Sequence, residues 1–111
     1  MKMKWEFVYY SGRVERDILS LSKELLTEFF TVQKMMMENG PNLGLPYTRA
    51  MGNGLFEIRV EAKDNIARVF YCTIEKHEIL ILHSFVKKTR TTPDRELQLA
   101  RKRLKEVKQH D

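Results

Sequence analysis

Leu55-Phe56-Glu57-Ile58-Arg59-Val60-Glu61, then Ile66-Ala67-Arg68-Val69-Phe70-Tyr71-Cys72-Thr73, then Ile79-Leu80-Ile81-Leu82-His83-Ser84-Phe85-Val86, is the stretch that decides the fold. In the first run apolar residues alternate with Glu57, Arg59 and Glu61, the period of a strand with one buried and one polar face. The second run is apolar on both sides apart from Arg68, as expected of a central strand covered on each face. Lys63-Asp64-Asn65 and Glu75-Lys76-His77 supply turns, so the three runs read as an up-and-down antiparallel meander. The last runs straight into Lys87-Lys88-Thr89-Arg90, so an apolar strand delivers a cationic loop.

Outward toward the N-terminus, Pro41 to Gly54 is rich in glycine and proline and reads as a loop. Before it, Val14, Ile18, Leu21 and Leu25 recur at helical spacing, and Ser20 and Ser22 suit N-caps. Residues 13–39 therefore read as two helices with a break near Leu21, the second stopped by Asn39-Gly40-Pro41. Its Met35-Met36-Met37 run points in three directions and is core filling rather than a soft-metal surface. Trp5-Glu6-Phe7-Val8-Tyr9-Tyr10, aromatic and β-branched, is a first strand closed by Ser11-Gly12. Toward the C-terminus, Thr92 as N-cap, Pro93 at the first helical position and Asp94 and Glu96 in the first turn open a helix. Leu97, Ala100, Leu104 and Val107 form its apolar stripe, and residues 105–111 are expected to fray.

A chain of 111 residues suits one domain over its whole length, with a core that needs neither metal nor disulfide. The one cysteine, Cys72, lies in an apolar run and reads as packing in a reducing cytoplasm. No N-terminal stretch has the form of a signal peptide and no run of about 18 apolar residues occurs, so neither export nor membrane spanning is expected. Residues 1–85 hold 11 Lys/Arg and 11 Asp/Glu, whereas 86–111 hold 9 and 4, so the whole +5 excess lies in the last quarter. Such a concentration points to a polyanionic partner, nucleic acid or an acidic protein surface; a solvated helix face is the plain alternative.

Signatures of nucleotide-phosphate loops, HExxH zinc sites, paired-cysteine sites and nucleophile elbows are all missing, and His77, His83 and His110 are too scattered for a joint metal site. What remains is a cluster of cations. If the first two meander strands pair across their turn, Arg59 and Arg68 lie close, and the end of the third strand brings Lys87 and Lys88 beside them. Metal-free RNA cleavage uses the 2′-hydroxyl against its own phosphate, and fixed cations stabilise the charge that builds on the phosphorane oxygens. The proton carriers stay open: Glu57, Tyr71, His83 and a lysine of lowered pKa are all candidates. Arg59 also suits a plain cross-strand pair with Glu57 or Glu61, and Lys87 and Lys88 suit charges that blunt a sheet edge. An arginine inside an apolar strand, Arg68, must be paired, exposed or functional.

The segments Gly54 to Arg59, Ile66 to Tyr71 and Leu82 to Lys88, followed by Thr92-Pro93 with Glu96 and Ala100, together resemble the HigB-like, phage-associated branch of the RelE/ParE toxin superfamily. The resemblance covers about half the chain. It implies an α+β, microbial-ribonuclease-like fold of order β-α-α-β-β-β-α: an antiparallel sheet with two N-terminal helices packed on it and a C-terminal helix. It further implies a type II toxin that cleaves messenger RNA in the ribosomal A site without metal or other cofactor. Its partner would be a helix-turn-helix, HigA-like antitoxin, through which alone it reaches operator DNA. Arg68 matches the strand arginine placed against the scissile phosphate, Lys87 and Lys88 the basic residues after the last strand, and Arg59 a cation on the preceding strand. Tyr71, His83, Glu57 and Arg90 stand as acid/base or RNA-binding candidates. Where some relatives carry an aromatic acid/base residue this chain has Thr91-Thr92-Pro93, so the general acid and base are unassigned. A gyrase-binding, ParE-like toxin without nuclease activity and a non-enzymatic nucleic-acid-binding module are the alternative readings.

Overall fold

In the computed structural model, which describes residues 4–88 and 91–109, the elements run β1 (Glu6–Tyr9), α1 (Gly12–Leu19), α2 (Lys23–Asn39), β2 (Thr48–Gly52), β3 (Leu55–Glu61), β4 (Ile66–Ile74), β5 (Glu78–Lys87) and α3 (Asp94–Gln109). The break between the first two helices falls where the serines put it, with divided labour. The Ser22 hydroxyl accepts the Leu25 N–H at 3.3 Å and caps α2, whereas Ser20 closes α1 by donating to the Arg16 carbonyl at 2.7 Å. Gly40, at φ 102°, ends α2 and donates its N–H to the Met36 carbonyl at 2.8 Å.

The strands form one sheet in the order β1-β5-β4-β3-β2. The expected meander β3-β4-β5 is antiparallel throughout, with Ile58 opposite Val69 and Val69 opposite Ser84. Two features correct the sequence reading. β1 pairs with β5 in parallel, Phe7 beside Ile79, so the sheet is mixed rather than antiparallel. The stretch read as loop, 41–54, contains β2, paired antiparallel with β3 and joined to it by Gly52-Asn53-Gly54, all at positive φ. Asn-Gly is the strongest short hairpin signal, and here it marked a strand that glycine and proline had hidden.

Helices α1 and α2 cover one face. Val14, Ile18, Leu25, Phe29, Val32 and Met36 pack there on Ile58, Val60, Val69, Tyr71, Ile79 and Ile81. Helix α3 covers part of the other, where Ala100 and Leu104 meet Leu55, Phe70, Cys72, Leu80 and Leu82. β4 is thus buried on both sides, as its apolar run requires. Burial of this kind stabilises by roughly 25 cal/mol per Å² of apolar surface. The tail expected to fray from residue 105 instead stays helical through Gln109, because Val107 packs on the α3-side core and the Tyr10 hydroxyl donates to Glu106. No helix among the described residues is long and apolar enough to cross a membrane.

Candidate functional site

Because α3 lies over one end of its face, the other end of that face stays open. Alternation along the strands sends Arg49 and Met51 of β2, Glu57 and Arg59 of β3, Arg68 of β4 and Lys87 of β5 to this open end. With Thr91 and Thr92, which lead toward α3, they line a cavity of about 350 Å³. Arg59 and Arg68 are direct cross-strand partners, on the same side of the sheet, and Arg49 stands opposite Glu57.

Like charges facing each other across a ladder repel, so the Arg59–Arg68 rung needs compensation. Glu57 supplies it from the next rung. Only 1 % exposed, its carboxylate lies 3.1 Å from Arg49 Nε through Oε2 and 3.8 Å from Arg68 Nε through Oε1. Arg68 is itself 4 % exposed and also donates from Nη1 to the Ala67 carbonyl at 3.2 Å. Burial lowers its pKa, with Glu57 opposing the shift and Arg59 adding to it. Two polar atoms, Glu57 Oε1 and Arg59 Nε, are buried with no hydrogen-bond partner among the described residues. In a cavity wall, buried unpaired polar atoms are what an incoming polar group would satisfy. Lys87 also titrates below the ordinary lysine range: burial contributes most, then Arg68, with Arg59 and Arg49 adding and Glu57 opposing.

Of the residues singled out from sequence, the fold brings Arg59, Arg68, Lys87 and Glu57 together. Lys88 follows the last residue of β5, is exposed and does not line the cavity. Tyr71 faces the opposite side of the sheet, within the α1–α2 core, where its hydroxyl donates to the Pro41 carbonyl at 2.5 Å. Burial pushes its pKa up to about 12, and it does not line the cavity. His83 shares the cavity's face but is stacked against Phe70 and Phe85, and its Nε2 donates to Glu96 Oε1 at 2.7 Å. It ties β5 to the first turn of α3 rather than lining the hollow. Arg90 lies outside the described residues. Sequence reading missed Arg49 and Met51, because their strand was taken for loop, and it treated Thr91-Thr92 as a departure from the toxin pattern and Thr92 as a helix cap, not as site residues.

The C-terminal cations are also divided. Arg101 donates to the Met51 and Gly52 carbonyls at 2.7 and 3.2 Å, which fastens the β2–β3 turn to α3. Arg103 donates to the Leu82 carbonyl at 2.7 Å and lies over the Tyr10 ring, 4.8 Å from its centre. Lys102, Lys105 and Lys108 remain exposed. Among the described residues no three His, Cys, Asp or Glu side chains gather where they could hold a metal ion.

The arrangement sets four cations against one carboxylate around a hollow of about 350 Å³, charges of the sign that would pair with a phosphate group. Residues 16–105 match the profile of a family described as phage derived protein Gp49-like. Among solved structures, the crystal structure of an archaeal RelE–RelB complex from Pyrococcus horikoshii OT3 is similar in fold. The superposition has a TM-score of 0.57 at 19% identity, covering 80% of this chain and 100% of that one. No curated protein matches the chain.

Proposed function

The chain belongs to the phage-derived Gp49-like family, and from that premise we propose that it is the toxin of a type II toxin–antitoxin pair, an endoribonuclease that cuts translated messenger RNA. The observation that carries this reading is the convergence of Arg49, Arg59, Arg68 and Lys87, from four different strands, on one cavity with Glu57 as its carboxylate. Four cations exceed what packing requires of a sheet end, and like charges on adjacent strands are retained at a cost in stability. An RNA phosphodiester that becomes a phosphorane offsets that cost, since the added charge on its equatorial oxygens falls among fixed donors.

In this mechanism Arg59 and Arg68 hold the non-bridging oxygens, and Glu57 keeps both Arg49 and Arg68 oriented through its two oxygens. The 2′-hydroxyl attacks in line and leaves a 2′,3′-cyclic phosphate. A cytoplasmic site of action, the ribosomal A site as substrate platform and a helix-turn-helix antitoxin as silencing partner belong to the same proposal. The likeness to a chain from a RelE–RelB complex supports a protein partner. The exposed cations of α3 suit an acidic segment of such a partner.

Sequencing RNA 5′ ends after induction tests the reading: cuts confined to translated regions are expected, and their absence alongside growth arrest would turn the case toward gyrase. Removing Arg68 or Arg59 by alanine is expected to lower the cleavage rate by about 10²–10³ each, since each contributes a fixed transition-state donor. Capture of the antitoxin by the variants, with wild-type circular dichroism, separates lost chemistry from lost folding. A fully active Arg68→Ala protein would sink the site.

A further inference from the structure

Breaking a phosphodiester at the P–O5′ bond requires a proton at the departing oxygen, because an alkoxide leaves slowly at neutral pH. The described residues around the cavity differ sharply in their ability to provide one. Arg49, Arg59 and Arg68 are guanidiniums, which keep their protons throughout the accessible pH range. Glu57 is shut from solvent with each oxygen facing a guanidinium, an arrangement in which a carboxylate accepts and does not donate. Thr91 and Thr92 offer alcohols and Met51 a thioether, none of them an acid of useful strength. Lys87, from the last position of β5, is the one described lining residue that can both carry a proton at neutral pH and release it.

We propose, resting on the ribonuclease reading above, that Lys87 is the general acid of the cleavage step and protonates the 5′-oxygen as it leaves. The 2′-oxygen forms its bond to phosphorus while its proton passes to solvent water. The P–O5′ bond breaks, its electron pair stays on the 5′-oxygen, and the Lys87 ammonium supplies the proton that makes this oxygen a hydroxyl. Lys87 is left as a neutral amine and recovers its proton from solvent. The position suits the task. Burial and the neighbouring Arg68 already lower the pKa of Lys87, so its ammonium gives up a proton more readily than a free lysine does. Donation also relieves its repulsion with Arg68.

The test uses ribosomes programmed with a short messenger RNA whose scissile 5′-oxygen is replaced by sulfur, a leaving group that needs no proton. Lys87→Ala is expected to slow cleavage of the ordinary RNA by about 100-fold and of the sulfur-containing RNA by less than about 5-fold. Lys87→Arg, which keeps the charge and the fold, should show the same pattern, whereas Arg68→Ala should slow both substrates. The wild-type rate on ordinary RNA should fall as pH rises through the lowered Lys87 pKa, and this limb should vanish with the sulfur substrate. Equal slowing of both substrates by Lys87→Ala, with both restored by Lys87→Arg, would make Lys87 a phosphate contact and overturn the proposal. A wild-type protein that cleaves neither RNA would instead overturn the ribonuclease reading, and this assignment with it.

Discussion

A carboxylate that is 1 % exposed persists in an interior only with partners, and Glu57 has two of unequal weight. Arg68 is buried with it, while the Arg49 side chain is half exposed and its attraction is screened by water. Glu57→Ala strands Arg68 without its carboxylate and is expected to destabilise by about 3 kcal/mol, the range for breaking a buried pair. Arg49→Ala should cost under about 1 kcal/mol, as exposed pairs do. Urea midpoints of the two variants check the ordering, and equal losses would refute it. Tyr71 gives a second prediction at this scale. Its pKa is raised to about 12 from an ordinary 10.0, so the folded state holds a proton that the unfolded state has lost between these values. Stability from this group is full below pH 10 and declines as pH climbs toward 12. Tyr71→Phe should lose about 1 kcal/mol at neutral pH, for the bond to the Pro41 carbonyl, and show a flatter alkaline decline.

Among the elements, the hairpin of β2 and β3 carries Arg49, Met51, Glu57 and Arg59, yet its turn is fastened to the molecule through Arg101 of α3. Arg101→Ala should cost about 1 kcal/mol, roughly 4 °C in Tm, for the lost charge-assisted bonds. Amide exchange should quicken at Met51 and Gly54, and cleavage should slow more than the stability loss alone explains; unchanged exchange there would dismiss the fastening role. The same hairpin shows why sequence reading stopped where it did. β3, β4 and β5 were legible because their period of two or continuous apolar run reflects burial on one or both faces. Thr48-Arg49-Ala50-Met51-Gly52 is an edge strand, mostly exposed, whose ladder comes from β3 rather than from its own pattern. The parallel pairing of β1 with β5 joins residues about 70 positions apart, and nothing local encodes that partner. The Arg59–Arg68 rung could be read from the short turn between their strands. Tyr71 could have been set aside on the same logic, since an odd offset from Arg68 turns it to the other face.

At the scale of the whole molecule, the positive excess of the last quarter separates into three uses. Lys87 belongs to the cavity, Arg101 and Arg103 hold backbone carbonyls, and Lys102, Lys105 and Lys108 face solvent on the helix that shares the cavity's side of the sheet, with Lys88 and Arg95 exposed as well. Under the proposed ribonuclease function, the exposed group is the one available, among the described residues, to steer and hold a polyanion before its phosphate reaches the cavity. Replacing Lys102, Lys105 and Lys108 by glutamine together should therefore weaken binding of single-stranded RNA. The salt dependence should flatten by a log–log slope of about 2, near 0.7 for each released counterion. The rate of the bound substrate's cleavage should stay as it was, because none of the three lines the cavity. If binding and its salt slope are unchanged while association with an acidic antitoxin segment collapses, the lysines serve the silencing partner and not the RNA. A fall in single-turnover cleavage with binding intact would show instead that charge outside the cavity shapes the reacting site.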